Sequence, residues 1–289
     1  MNRSVRDLIN ARYSYRTYRK DPIEDPLRSK LQDHSNELAT GPFGSEVRLA
    51  LVTAGPDDPG RLKGLGTYGF IKGATGFLLG AVRHAPRDLE DFGYLVEQAI
   101  LFATDLGLGT CWLGGSFTKS SFARRLGGLE RDETMPAVVS VGYPGDDGSG
   151  RIKEREVGGR RLPAHSLFFE GGFARPITLA ESGVFAEILE GVRMAPSASN
   201  KQPWRIVRQG DNWHFYLRRT KGYGKGTALF AALRLADLQR VDMGIAMCHF
   251  VLLAEEAGLK GRWAVEEPEL GPLAPGVEYT ATWRACRPH

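Results

Sequence analysis

Cysteine is scarce in this chain: Cys111, Cys248 and Cys286 are the only three among 289 residues, and no two form a CxxC pair. A zinc site therefore lacks ligands at the usual spacing. Each thiol lies in an apolar segment, so buried free thiols in a reducing cytoplasm are expected. Long runs of one charge are missing too. The formal net charge is +4, and no lysine-arginine tract is long enough to line a nucleic-acid groove. The mild basic excess suits a solvated surface or a pocket for one phosphate. No apolar run reaches the roughly 20 residues that a bilayer needs. Glu97 and Asp105 interrupt one candidate, and Glu255 and Glu256 end the other. The opening residues MNRSVRDLINARYSYR hold no apolar stretch of the signal-peptide kind, so a soluble cytoplasmic protein is expected. A dinucleotide fingerprint is absent as well. Gly64, Gly66 and Gly69 have the GxGxxG spacing, but glycine-rich, strand-like sequence follows them where a helix is required.

What the chain does have is a repeat. Asp91 to Trp112 reads DFGYLVEQAILFATDLGLGTCW, and Asp242 to Trp263, 151 positions on, reads DMGIAMCHFVLLAEEAGLKGRW. Asp91 and Asp242, Gly93 and Gly244, Ala103 and Ala254, Gly107 and Gly258, Leu108 and Leu259, and Trp112 and Trp263 fall in register. Each copy reads as a long apolar helix stopped by a glycine and followed by a short strand. The second copy is apolar almost all round, as a helix enclosed by protein should be. Each is preceded by a Pro-Ile pair and a further helix, with Pro22 answering Pro176. Each is followed by a closing strand, PAVVSVGYP to Pro144 and YTATWRACRP to Pro288. The expected organisation is two similar α/β halves, 1–150 and 174–289, joined by a polar arm at 151–173. Content of 42% hydrophobic residues allows a full core. Two helices apolar on all sides can be covered only by each other, which predicts one intertwined globule.

Smaller features fill in the order. Ser4 is expected to cap a helix to Ala11, Asp25 a helix to about Ala39, and residues 118–127 a short helix. VRLALVTAG from Val47 and Thr110–Leu113 read as strands. Three stretches carry candidate chemistry. Arg12, Ser14 and Arg16 alternate with Tyr13 and Tyr15, so an extended backbone puts three anion-gripping groups on one face; surface arginines flanking packed tyrosines are the alternative. Gly114-Gly115 after the first strand leave backbone N–H groups uncovered, as for a flat ligand or an ordinary turn. The loop Ala195 to Trp204, APSASNKQPW, offers Ser197, Ser199, Asn200 and Gln202 to a polyol chain or heterocycle edge, or serves as turn chemistry after a helix. Arg160 and Arg161 follow a Gly-Gly pair and could reach back over the first half, or be a linker's solvated charges.

Taken together, Arg12-x-Ser14-x-Arg16, APSASNKQPW, the helix running into GLGTCWLGG, and GRRLP at 159–163 resemble the nitroreductase family of flavin enzymes. The resemblance implies an α+β fold with antiparallel sheets and long buried core helices. Members of that family are ordinarily homodimers with FMN at the interface, built from both subunits. Here the RxSxR segment and the APSxxNxQPW loop lie in different halves of one chain, which implies a fused pseudo-dimer, monomeric and carrying one FMN. At the place of that loop the first half has only Gly41-Pro42-Phe43-Gly44, and Lys260-Gly261-Arg262 replaces Gly-Thr-Cys in the second. Carried over, the resemblance implies Arg12 and Arg161 on the FMN phosphate with Ser14 beside them, and Arg16 near the N1–C2 edge of the ring. Pro196, Ser197 and Asn200 approach from the other half. The N–H of Gly114 faces N5, with Gly115 next to it. Many relatives carry an acidic residue where Gly114 stands, which implies a more open pocket. The implied activity is hydride transfer from NADH or NADPH to a nitroaromatic, quinone or similar small acceptor, with no protein nucleophile, metal, nucleic acid or membrane involved. An FMN reservoir and a flavin-free descendant are the alternatives.

Overall fold

Asp88, Glu90 and Asp91 place three carboxylates in the first turn of helix α3 (Asp88–Asp105), where the helix dipole favours negative charge. Phe92, Leu95, Val96, Ala99, Ile100 and Ala103 then recur at helical spacing, and all are buried. Gly107, at φ +78°, takes the left-handed position past the end, and the Leu108 N–H returns to the Ala103 carbonyl at 2.9 Å. Helix α6 (Leu238–Glu256) ends in the same way, with Gly258 at φ +75° and the Leu259 N–H on the Ala254 carbonyl at 2.8 Å. Only glycine adopts that backbone without strain, which accounts for the repeated Gly-Leu pair.

These helices belong to a computed structural model of the protein that describes all residues except 56, 57, 59, 146–159, 224–234 and 287–289. Among the described residues four shorter α-helices accompany them: α1 (Val5–Ala11), α2 (Asp25–Glu37), α4 (Lys119–Arg125) and α5 (Phe185–Arg193). One sheet has the order β1 (Val47–Thr53), β2 (Gly76–Arg83), β5 (Val138–Gly142), β3 (Gly109–Leu113), with the short β4 (Glu133–Thr134) on β2. The other runs β6 (Phe168–Glu170), β7 (Trp204–Gln209), β8 (Asn212–Arg218), β10 (Val277–Ala285), β9 (Gly261–Ala264). Every paired strand is antiparallel except β6 on β7. In each sheet, a hairpin leads through the long helix to an edge strand and then to a closing strand between the two. Trp204, Trp213, Trp283, Phe215 and Phe250 are fully buried in the core on the second sheet's side.

The two long helices cross where each carries a glycine. A Cβ on Gly93 would strike the Val241 backbone, and one on Gly244 would strike the Glu90 backbone. Val241 is the repeat counterpart of Glu90, so the contact is reciprocal. Arg240 fixes the crossing at one end, its guanidinium donating to Glu90 at 2.9 Å and Asp88 at 3.0 Å. At the other end, Glu256 accepts the Val5 N–H at 2.6 Å and Asp105 accepts the Asn2 N–H at 2.6 Å. The ends of α3 and α6 thereby seat the start of α1, which Ser4 caps through the Asp7 N–H.

Several expectations need correction. Glu24, not Asp25, is the N-cap of α2, without a side-chain hydrogen bond, because Pro26 in the first turn already fixes the backbone there; the helix ends at Glu37. Residues 118–127 shrink to Lys119–Arg125, since Gly127 and Gly128 both take positive φ. The glycine-rich segment forms turns up to the start of β2 at Gly76. Cys111 and Cys248 are buried, but Cys286 is exposed just beyond the end of β10. Residues 151–159 of the arm, including Gly158-Gly159, and Pro288 lie outside the described residues.

Gly→Ala inside a helix ordinarily gains up to about 1 kcal/mol. At Gly244 the sign reverses: Gly244→Ala forces the helices apart and lowers stability by about 1–3 kcal/mol in urea denaturation. Gly172→Ala, where a new Cβ meets nothing within 4 Å, stays within about 0.5 kcal/mol of wild type.

Candidate functional site

Helix α1 ends because Arg12 turns to extended backbone, φ −61° and ψ 127°. The next residues run beside β3: Ser14 bridges Thr110 in parallel, and the Tyr15 N–H donates to the Thr110 carbonyl at 2.9 Å. Alternation then sorts the side chains as expected. Arg12, Ser14 and Arg16 line a cleft, while Tyr13 and Tyr15 meet edge to face with centroids 5.2 Å apart. Tyr15 packs over Gly109, where a Cβ would stand 2.8 Å from its ring. Arg12 is buried; Arg16 is exposed at the rim.

The opposite wall is the loop after α5. Asp242, in the first turns of α6, accepts the Ala198 N–H at 2.8 Å, much as Asp91 accepts the Phe43 and Ser45 N–H groups at 2.9 Å each. The repeated aspartates thus hold the loop that precedes each sheet's hairpin. Ser199, Asn200 and Gln202 all adopt positive φ, at +50°, +54° and +47°. Strain of about 1 kcal/mol or more at each persists only where surrounding bonds over-determine it. Those bonds are present. Gln202 accepts the Leu162 N–H at 2.7 Å and donates to the Asn200 carbonyl at 3.0 Å. The Gln202 N–H donates to the Ser197 hydroxyl at 2.9 Å, and the Asn200 amide donates to the Arg160 carbonyl at 3.0 Å. Gln202 is therefore buried structure and not a group offered to a ligand, because its amide is consumed in clamping the 160–162 segment to the loop.

Arg161 does not extend over the first sheet. It donates to the Met194 and Ala195 carbonyls at 2.9 and 2.7 Å, where α5 leaves acceptors unsatisfied, and to Asn200 Oδ1 at 3.0 Å. It still lines the cleft. Burial and, next, the positive charges of Arg12 and Arg193 push its pKa down to about 10. An anion placed there would relieve that repulsion.

All nine expected residues, Arg12, Ser14, Arg16, Gly114, Gly115, Arg161, Pro196, Ser197 and Asn200, border this one cleft of about 880 Å³, within the size range of cofactor sites. One expectation fails at Gly114. The space where its side chain would be is filled by Leu238 from the start of α6, a Cβ there falling 2.8 Å or less from the leucine methyls, so the missing side chain does not open the pocket. Several lining residues escaped the sequence reading: Tyr68, Phe70, Trp112, Tyr223, Leu238 and Asp242. Asp242 had a signal, an acid repeated at the head of two otherwise apolar helices. Tyr68 and Phe70 had none beyond glycine-rich surroundings, yet they stand 69% and 54% exposed on the lip.

One antiparallel sheet and one mixed sheet around a helix pair, with a cleft of nucleotide size that is cationic at one end and walled by main chain at the other, define an α+β protein. The chain belongs to the nitroreductase family: the model of the family described as "Putative TM nitroreductase" matches residues 4–254. A Thermotoga maritima nitroreductase structure (tm1586) shares the fold at 20% identity and TM-score 0.59, covering 98% of this chain and 94% of its own. Structures of nitroreductases in complex with FMN from Desulfovibrio desulfuricans and Exiguobacterium sibiricum match at 21% and 13% identity with TM-scores of 0.40 each. Each covers 50% of this chain and 89% and 90% of its own. A search of curated proteins finds no match. Among the described residues no helix is long and apolar enough to cross a membrane.

Burial raises the Asp242 carboxyl well above the ordinary carboxylate range, beyond what the Ala198 N–H recovers. The folded state thus prefers the neutral acid, whereas the unfolded chain ionises near its usual value of about 4. Stability tied to this group is complete below that value and is lost as pH rises toward the folded-state pKa. Asp242→Asn keeps the oxygen acceptor without the charge. Its melting temperature relative to wild type therefore climbs between pH 4 and pH 8, measured by thermal melts across that range.

Proposed function

We propose that this protein is an FMN-dependent oxidoreductase that passes a hydride from NADH or NADPH to a small, flat, electron-poor acceptor such as a nitroaromatic or a quinone. One observation carries the reading: Arg12, Ser14 and Arg16 from the start of the chain and Pro196, Ser197 and Asn200 from beyond its middle border the same cleft. The residues suit the cofactor. Arg12 and Arg161 bring two guanidinium groups to one end of the cleft, and Arg161 is held at a depressed pKa by burial and like charge, so this end favours a phosphate. The relatives in complex with FMN support the same choice.

Bound there, FMN supplies two-electron hydride chemistry between NAD(P)H and the acceptor. The chain's own residues do the rest. Arg12 and Arg161 hold the phosphate with Ser14 beside them. Ser197, whose oxygen is already engaged by Gln202, keeps its proton to donate, and Pro196 and Asn200 shape the second wall. Arg16 brings a positive charge that favours an electron-rich ring, and the main chain at Gly114 and Gly115 lies against it. Tyr68 and Phe70 offer flat apolar faces at the mouth, where a planar acceptor enters.

The same reading treats 1–150 and 174–289 as two halves of a fused, monomeric pseudo-dimer with one cofactor, working in the cytoplasm. Its support is the reciprocal glycine contact, the shared strand order and the paired aspartates. Unbridged cysteines agree with a reducing compartment.

Titration with FMN should give a yellow 1:1 complex that bleaches anaerobically with NADH or NADPH. Arg12→Ala should weaken FMN about 10- to 100-fold, the worth of one charge-assisted hydrogen bond. Bound flavin that neither nucleotide bleaches makes the protein a reservoir, and failure to bind flavin ends the reading.

A further inference from the structure

Behind the cleft lies a buried carboxylate that the reading above does not use. Glu97, on α3, has no solvent exposure at all, and a bare carboxylate in such a place costs several kcal/mol. Its partners compensate on three sides. Trp112 Nε1–H donates to Oε2 at 2.8 Å, His249 Nε2 stands 3.0 Å from Oε1, and Arg12 Nε forms an ion pair with Oε1 at 3.8 Å. His249, on α6, is also fully buried, and its Nδ1 lies 2.9 Å from the Gly191 carbonyl on α5. A carbonyl can only accept, so Nδ1 carries a hydrogen. One proton then lies between Nε2 and the carboxylate, and the imidazole cannot turn without breaking both bonds.

The four members divide by position. Arg12 and Trp112 line the cleft; Glu97 and His249 do not. The Nε edge faces Glu97 Oε1 at 3.8 Å, an ion pair without a hydrogen bond, so the carboxylate holds the guanidinium by charge while Arg12 borders the cleft. The Trp112 ring is fixed by the same group through its N–H.

We propose that Glu97, locked by His249, is a positioning residue that orients Arg12 and Trp112 and thereby gives the cleft its preference for a phosphorylated flavin. This rests on the flavin reading above. Glu97 touches neither ring nor phosphate and acts through Arg12.

The test compares FMN with riboflavin, which lacks only the phosphate, by fluorescence titration of the full chain. Glu97→Gln keeps the volume and removes the charge. FMN affinity should fall about tenfold while riboflavin affinity changes less than about twofold, so the FMN-to-riboflavin ratio collapses. A purely structural role would weaken both flavins alike or only lower the melting temperature, and either result overturns the proposal. If Glu97→Gln does not fold, Glu97→Asp, which keeps the charge but withdraws it from Arg12, gives the same readout with the same expected loss of ratio. An unchanged ratio overturns the proposal and leaves the flavin reading intact, as does a wild-type chain that binds both flavins equally. Wild type that binds neither flavin sinks the flavin reading itself.

Discussion

The contact on which the remaining geometry depends is the crossing of α3 and α6 at Gly93 and Gly244. Side-chain packing alone keeps helix axes about 8–10 Å apart. Removing both side chains at the crossing lets each backbone meet the other. That closeness brings Glu97 within hydrogen-bond reach of His249 and Arg240 within reach of Glu90. It also sets the carboxyl ends of both helices side by side, where Asp105 and Glu256 catch the first residues of the chain. Arg12 follows α1 directly, so its position in the cleft is inherited from the crossing.

The sequence was most legible where physics acts locally and repeats. Paired Gly-Leu stops announce left-handed helix ends, and both form with the same backbone bond. Alternation in Arg12-Tyr13-Ser14-Tyr15-Arg16 sorted anion-gripping groups from packed rings, because an extended chain leaves side chains no other choice. The candidate site was legible for a different reason: its two loops resemble those of a known family, and all nine residues taken from that resemblance meet around one cleft. What could not be read were properties set by distant partners. Leu238 fills the space beside Gly114 although more than a hundred residues separate them, and Gln202 turns inward because Leu162 needs an acceptor. Cys286 is exposed because β10 ends one residue before it, a boundary that apolar composition does not mark.

Unfavourable free energy is stored both around the cleft and in the second sheet. Arg161 is held among like charges, Asp242 is buried with Oδ2 lacking a hydrogen-bond partner, and three residues of one short loop take left-handed backbone. In the second sheet, Trp204 and Trp213 Nε1, Tyr216 Oη and His214 Nε2 are also buried without a hydrogen-bond partner. Charged groups at the helix crossing and just past β8 are paired instead, as with Arg240 on Asp88 and Glu90 or Arg219 on Asp237 and Glu278.

The repeat also explains why the two sides of the crossing are not equivalent in use. Both edge strands, β3 and β9, follow their helix in the same way, but β3 runs into Gly114-Gly115 and β9 into Val265-Glu266. Gly115, where a Cβ would meet nothing nearer than 3.7 Å, leaves that backbone uncovered, whereas Val265, half exposed, presents a side chain. The loops differ in the same sense. Asp91 spends both carboxylate oxygens on the short turn at 41–45, while Asp242 spends one on a longer loop carrying Ser197 and Asn200. The cleft thus lies where β3 runs toward the loop held by Asp242. Those two differences support the proposal of one site per chain.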